Sequence, residues 1–222
     1  MPHPHNVFNF VAILGAGAMG KGIAQLIVQA GVKVVIYDTN PQALESAKTS
    51  ITQQWERMLE KNRITPEDLK AYASRLTLAA QLEDLRECDL VIEAIVENLT
   101  VKAQVFKSLE SILKPECLLT SNTSSLSITA ISSALNNPKR LLGLHFFNPV
   151  MLMKVVEVIR GLHSRAEDSA RLTEFVKQLG TPRSWRKTPQ ASSSTTHPAA
   201  TRASRFALRK KALPSLLKST SS

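Results

Sequence analysis

Acidic residues are missing from the last 42 positions of this 222-residue chain, although nine Lys or Arg lie there. The whole sequence has 28 basic and 18 acidic side chains and a net charge of +10 at pH 7. Residues 1–180 therefore hold 19 basic and 18 acidic side chains, a net of +1. The basicity belongs to the tail, and the body is near neutral. Cysteine is almost lacking: Cys88 and Cys117 stand alone without metal-like spacing. That excludes a disulfide framework and fits a reducing cytoplasm. The five histidines are dispersed at 3, 5, 145, 163 and 197, so no metal site is expected. No apolar run is long enough to span a bilayer, and Met1–Asn9 has no charged-then-apolar signal pattern. A membrane partner is not expected. The tail has one Trp, one Phe and no nucleic-acid-reading motif, so weak, salt-sensitive binding is all that its charge supports. Nucleic acid is not expected as a partner.

Glycine is also scarce, but four of the eight fall between Gly15 and Gly22. Phe10–Leu14 is a short apolar run, followed by Gly15-Ala16-Gly17-Ala18-Met19-Gly20 and a helical pattern. A second apolar run, Val32–Tyr37, ends at Asp38. Each part has a separate task in holding a dinucleotide. Gly15 permits the tight turn, Gly17 a close approach to the pyrophosphate, and Gly20 close packing of helix on sheet. The helix N-terminus offers unpaired N–H groups to the phosphates. Asp38 can accept hydrogen bonds from an adenosine ribose and would repel a 2′-phosphate, which selects NAD(H) over NADP(H). A structural turn with a surface Asp is the plainer alternative, since glycine turns are common.

Ile23, Leu26, Ile27 and Ala30 recur at helical spacing up to Gly31. Asn40-Pro41 starts a long helix reaching about Lys61, and Thr65-Pro66-Glu67-Asp68 starts another with a capping box. Leu76–Leu78, Asp89–Ala94, Cys117–Ser121 and Leu141–Phe147 read as strands, with helices near 99–113 and 127–135. The alternation implies an α/β fold, a Rossmann-type doubly wound and mainly parallel sheet. The helical hairpin near 41–75 is an insertion, either a substrate wall or a structural cover.

Two segments carry chemistry. His145 ends an apolar strand, Asn148-Pro149 signals a turn, and Met153–Ile159 reads as a returning strand. Folding back brings His145 beside Glu157, where a carboxylate fixes an imidazole tautomer and favours a general base. The alternative is a histidine merely hydrogen-bonded in place. Ser121-Asn122-Thr123-Ser124-Ser125 follows a strand whose end faces the cofactor. Its hydroxyls can bind substrate or cofactor, or cap the following helix, and capping is the simpler reading.

With these residues in view, the chain resembles the NAD-binding domain of the 3-hydroxyacyl-CoA dehydrogenases, including short-chain 3-hydroxybutyryl-CoA enzymes. The matching motifs are Gly15–Gly22, Asp89–Asn98, Ser121–Leu126 and His145–Glu157, in register from about Val11 to Gly180. HFFNPV with Glu twelve residues after the His is the most specific of them. The resemblance implies oxidation of (S)-3-hydroxyacyl-CoA to 3-oxoacyl-CoA with NAD, in fatty acid or related acyl-CoA degradation. It implies that His145 takes the hydroxyl proton, Glu157 orients His145, and Ser124 hydrogen-bonds the reacting oxygen. It implies that Glu97 and Lys102 contact the nicotinamide ribose, beside Gly15, Gly17, Gly20 and Asp38 on the rest of the cofactor. Lys61 corresponds only loosely to a CoA-phosphate contact and reads as a solvated lysine. A non-catalytic NAD(H)-binding domain is the alternative, and the presence of His145, Glu157 and Ser124 argues against it. Met151–Met153 lines the acyl site or packs in the core.

Family members continue past a position like Gly180 with a strand and a helical domain that supplies most of the homodimer contact. Here Thr181 onward has fifteen Ser or Thr in 42 residues, no Gly and no apolar period. By itself the segment reads as a disordered basic tail, since it cannot bury enough surface to offset chain entropy. The expected organisation is residues 1–180 as the NAD-binding domain and 181–222 as a tail out of frame, without the helical domain and most of the dimer surface. A TCN serine codon read one base earlier becomes NTC, which encodes Phe, Leu, Ile or Val. Gln190–Thr195 written that way permits Gly-Phe-Ile-Val-Asn, and Lys187–Pro189 permits Asp-Thr-Pro before it. The family carries such a motif there, and its Asn contacts the substrate thioester. No Asn follows Asn148 in this chain, so binding of NADH with poor turnover is expected. Sequencing the coding DNA from codon 178 onward tests the frame: shifted codons for Asp-Thr-Pro-Gly-Phe-Ile-Val-Asn are expected, and DNA that cannot supply them refutes the shift.

Overall fold

A computed structural model of the chain describes residues 6–153 and 155–180. Residues 181–222, with the expected tail, lie outside them. The first strand and its neighbours are β1 (Phe10–Leu14), β2 (Lys33–Tyr37), β3 (Leu76–Leu78) and β4 (Leu90–Glu93). The remaining strands are β5 (Leu118–Ser121), β6 (Leu141–Phe146) and β7 (Val156–Arg160). They form one sheet in the order β3-β2-β1-β4-β5-β6-β7, parallel throughout except for β6 with β7. The chain winds outward from β1 to β3, then returns to β4 on the other side of β1. The strand order therefore reverses between β1 and β4, which opens a crevice at their carboxyl ends. The Rossmann-type sheet expected from the sequence is the sheet observed.

Parallel strands are covered on both faces, so they are apolar on both. Val11 and Ile13 enter one core cluster, while Ala12 and Leu14 enter another on the opposite face. Helix α1 (Ala18–Gln29) buries Ile23, Ala24, Ile27 and Val28. Its close packing depends on Gly20, where an added Cβ would lie 1.8 Å from the Gly15 carbonyl oxygen.

The inserted hairpin is present as α2 (Pro41–Glu60) and α3 (Pro66–Arg75). Asn40 Oδ1 accepts from Gln42 N and Ala43 N, which caps α2. Thr65 and Asp68 exchange side-chain-to-backbone hydrogen bonds at the start of α3, completing the capping box. Leu44, Ala47, Ile51 and Trp55 are the buried stripe of α2, and the Trp55 ring lies 5.5 Å from that of Tyr72 on α3. Helix α4 (Leu99–Ile112) falls where periodicity places it, while α5 (Ile128–Ser132) is shorter than the expected 127–135. Helix α6 (Ala166–Gln178) was not anticipated from the sequence. Its Leu172, Phe175 and Val176 are buried, and Phe175 meets Phe8 edge-on at 5.2 Å. Its buried Asp168 accepts from Arg165 Nε at 2.7 Å, which keeps a carboxylate tolerable there.

Gly20→Ala is expected to destabilise the fold by about 1–3 kcal/mol, because a backbone oxygen must shift to admit the methyl group. Urea denaturation checks this as a lowered midpoint with an unchanged slope.

Candidate dinucleotide and acid–base site

At the carboxyl end of β1 the chain turns at Gly15, whose φ of +103° suits glycine. Gly15 N–H donates to Tyr37 O at 2.8 Å, and a Cβ there would sit 2.6 Å from Ala94 O. The turn is thus pinned between β2 and β4. Asp38 adds a second pin: its Oδ2 accepts from Ala16 N at 2.8 Å and its Oδ1 from Asn40 N at 2.9 Å. Each carboxylate oxygen keeps further acceptor capacity for a ribose hydroxyl. Gly17 differs from Gly15 and Gly20. It caps α1 without any side-chain hydrogen bond, and an added Cβ would meet nothing within 4 Å. That open space lies at a helix N-terminus whose first N–H groups have no intrahelical partners, the arrangement that receives a phosphate. A glycine cradle, open space and an acid at the next strand end fit NAD.

His145 and Glu157 stand on β6 and β7, directly opposed in the antiparallel register. His145 Nδ1 lies 3.1 Å from Glu157 Oε2, with the two side chains only 15% and 16% exposed. A carboxylate only accepts, so Nδ1 carries the proton and Nε2 is left as the basic nitrogen. Phe147 packs beside the imidazole, ring centroids 4.5 Å apart. Asn122 Oδ1 accepts from Phe146 N at 2.8 Å, tying the end of β5 to the strand that bears His145. The turn after β6 rests on α1: a Cβ at Gly22 would be 2.9 Å from Val150 Cβ. Helix α1, which follows the glycine turn, is therefore in contact with the turn that follows the histidine strand.

At the ends of β4 and β5, the strands between β1 and β6, lies a charged cluster larger than the two residues expected. Glu93, the last residue of β4, is fully buried. Its Oε1 accepts from Lys102 Nζ at 2.5 Å and Ile95 N at 2.8 Å, and its Oε2 accepts from Ser121 Oγ at 2.6 Å. Lys102, expected at the ribose, is 1% exposed and directs its ammonium to Glu93 and, at 3.3 Å, to Glu97 Oε2. Glu97 reaches the next loop: Oε1 accepts from Thr123 Oγ1, from Ser125 Oγ at 2.9 Å and from Ser125 N at 3.3 Å. Burial opposes ionisation of Glu97, but these hydrogen bonds and the Lys102 charge outweigh it and hold the carboxyl down at about 2.

Ser124 sits between the two clasped residues, exposed and without a side-chain hydrogen bond among the described residues. The hydroxyls of 121–125 do not cap the helix, since Ser127 Oγ does so by accepting from Ala130 N. Sequence reasoning missed Glu93, Asn122 and the clasp by Thr123 and Ser125. A charged residue closing an apolar strand was the available signal for Glu93. Leu152 and Met153 are 74% and 42% exposed, so the core reading of that segment does not hold for them. Lys61 is exposed.

Crevice, cradle and acid define a Rossmann-type NAD-binding domain. The family model described as 3-hydroxyacyl-CoA dehydrogenase, NAD binding domain, matches residues 10–182, and the chain belongs to that family. It is 42% identical over 170 residues to a probable 3-hydroxybutyryl-CoA dehydrogenase of Bacillus subtilis, covering 77% of this chain and 59% of the relative. It is 41% identical over 170 residues to the 3-hydroxyadipyl-CoA dehydrogenase of Escherichia coli K12, covering 77% and 36%. Among solved structures, an (S)-3-hydroxybutyryl-CoA dehydrogenase from Ralstonia eutropha superposes with a TM-score of 0.78 at 34% identity, covering 82% of this chain and 64% of that one. The chain thus spans about three-fifths of the length of the Bacillus relative.

Two outcomes test the site. Gly17→Ala is expected to leave the urea midpoint nearly unchanged, because the space is open, yet to weaken NADH binding at least tenfold by fluorescence titration. The folded-state pKa of Glu97 lies below its ordinary 4.5, so its contribution to stability is present above pH 4.5 and lost as pH falls toward about 2. Glu97→Gln is expected to flatten that limb of a stability–pH curve.

Proposed function

We propose that this chain serves the oxidation of a (S)-3-hydroxyacyl-CoA to the 3-oxoacyl-CoA, the reaction named in its relatives. The single observation that carries this reading is the His145–Glu157 pair, opposed across β6 and β7 at 3.1 Å. NAD, when bound, supplies the hydride acceptor. Residues 1–180 form its binding domain, with Gly15, Gly17 and Gly20 admitting the pyrophosphate and Asp38 accepting the adenosine ribose hydroxyls. Glu97 is assigned to the nicotinamide ribose. Lys102 acts beneath it, because its buried ammonium already meets Glu93 and Glu97.

His145 takes the proton of the substrate hydroxyl at Nε2, the nitrogen that Glu157 leaves free. Glu157 fixes the ring orientation and stabilises the imidazolium, as a carboxylate does for histidine in other acid–base sites. Ser124, with a free hydroxyl, donates to the reacting oxygen. Exposed Leu152 and Met153, on the turn directly after the histidine strand, offer apolar surface to an acyl chain. Residues 181–222 hold no counterpart of the Asp-Thr-Pro-Gly-Phe-Ile-Val-Asn segment, and we propose that this chain turns over acyl-CoA slowly while it binds NADH. No helix among the described residues is long and apolar enough to cross a membrane, and the two buried free cysteines accord with a cytoplasmic setting.

The test is reduction of acetoacetyl-CoA by NADH, followed at 340 nm alongside an NADH titration. His145→Gln is expected to lower the rate by about 10²–10⁴-fold with NADH affinity retained, as loss of a general acid–base group does. Binding of NADH without any turnover, also in a protein extended by the shifted frame, would favour a non-catalytic NAD(H)-binding domain instead.

A further inference from the structure

We propose that Glu93 is a positioning residue: through the buried Lys102 ammonium it holds Glu97 in place, and Glu97 holds the segment that presents Ser124. This rests on the reading of Ser124 given above for its functional meaning, while the clasp itself rests on geometry alone. The chain of contacts is continuous. Glu93 is fixed from three sides by Ile95 N, Ser121 Oγ and Lys102 Nζ, at 2.8, 2.6 and 2.5 Å. Lys102 is thereby held between two carboxylates, nearer to Glu93 than to Glu97 at 3.3 Å. That division leaves Glu97 Oε1 to the next loop, where it gathers both neighbours of Ser124. Thr123 Oγ1, once donating to Glu97, accepts from Leu126 N at 2.9 Å and Ser125 N at 3.3 Å, which closes the turn around Ser124.

An exposed serine on a loop after a strand is free to adopt many conformations, and its entropy opposes a single productive geometry. Here the Glu97 carboxylate, held from below by the buried Lys102 ammonium, restrains the residue on either side of Ser124. Without the Glu93 charge, Lys102 has only Glu97 as a counter-ion and draws it inward. Glu97 then leaves Thr123 and Ser125. A buried lysine with one partner removed is a strongly perturbed group, so the effect on the loop is expected to be large.

The experiment measures amide hydrogen exchange of Ser125 and Leu126 in the full chain without any ligand, with urea midpoints recorded in parallel. Glu93→Gln is expected to speed exchange at these two amides at least tenfold relative to amides of the sheet core. Thermal or chemical destabilisation alone would instead raise exchange across all amides together. In acetoacetyl-CoA reduction the same variant is expected to lower kcat about tenfold, and to weaken NADH binding as well, because the displaced Glu97 is also the residue assigned to the nicotinamide ribose. If Glu93→Gln does not fold, Glu93→Asp keeps the charge but shortens its reach, and about threefold faster exchange at the same amides is expected. Unchanged relative exchange at Ser125 and Leu126 in the folded variant overturns the proposal and leaves Glu93 as a structural ion-pair partner. If the chain turns nothing over, the exchange result still decides the clasp, and the catalytic reading fails separately.

Discussion

Parallel register is the constraint on which everything else in this domain depends. Tyr37, Leu14, Glu93, Ser121 and Gly143 pair across five strands as one row of the sheet. One residue beyond that row the chain leaves the sheet at Asp38, Gly15, Ala94 and Asn122. β6 runs further, and His145 lies two residues past the row on the strand whose antiparallel partner carries Glu157. Because parallel strands need a crossover between them, every strand end on this edge also begins a loop and, in most cases, a helix. The glycine turn, the clasped serine and the opposed His145 and Glu157 share one edge for that reason.

Two loops on this edge are held by more than backbone hydrogen bonds. Both are tied by carboxylates. Asp38 holds the glycine turn through Ala16 N, and Glu97 holds the serine turn through Thr123 and Ser125. A buried carboxylate and ammonium are costly to desolvate, and the pair Glu93–Lys102 is tolerable because nearby donors and acceptors meet the remaining polar capacity. The same residues that keep this pair satisfied are the ones that shape the loops. A contact of α1 with the turn after β6, at Gly22 and Val150, sets the helix that follows the glycine turn against the turn that follows the histidine strand.

Much of this was legible beforehand, for identifiable reasons. Asn40, Pro41, Thr65 and Asp68 are local signals, since a cap is formed by residues within a few positions of each other. The apolar strands, the glycine cradle and the opposed His145 and Glu157 follow from spacing along one hairpin or one crossover. Helix α6 escaped notice: its apolar positions Leu172, Phe175 and Val176 are few among charges, and part of what they bury, such as Phe8, lies far away in the chain. The hydroxyls of 121–125 looked like helix caps because capping is local, whereas Glu97, the partner of Thr123 and Ser125, is 26 and 28 residues distant, and Glu93, the partner of Ser121, is 28.

The sequence by itself determined the strand–helix alternation, the glycine turn with Asp38 at the next strand end and the apposition of His145 with Glu157, because each rests on periodicity or on short fixed spacing. Only the tertiary structure decided what Lys102 does. A lysine on an amphipathic helix is charged and reads as exposed, and nothing in its neighbours along the chain reveals that β4 ends beneath it with a buried carboxylate. Its ammonium turned inward because Glu93 and Glu97 converge there from the strand end and the loop above, and such convergence exists only once the sheet has formed.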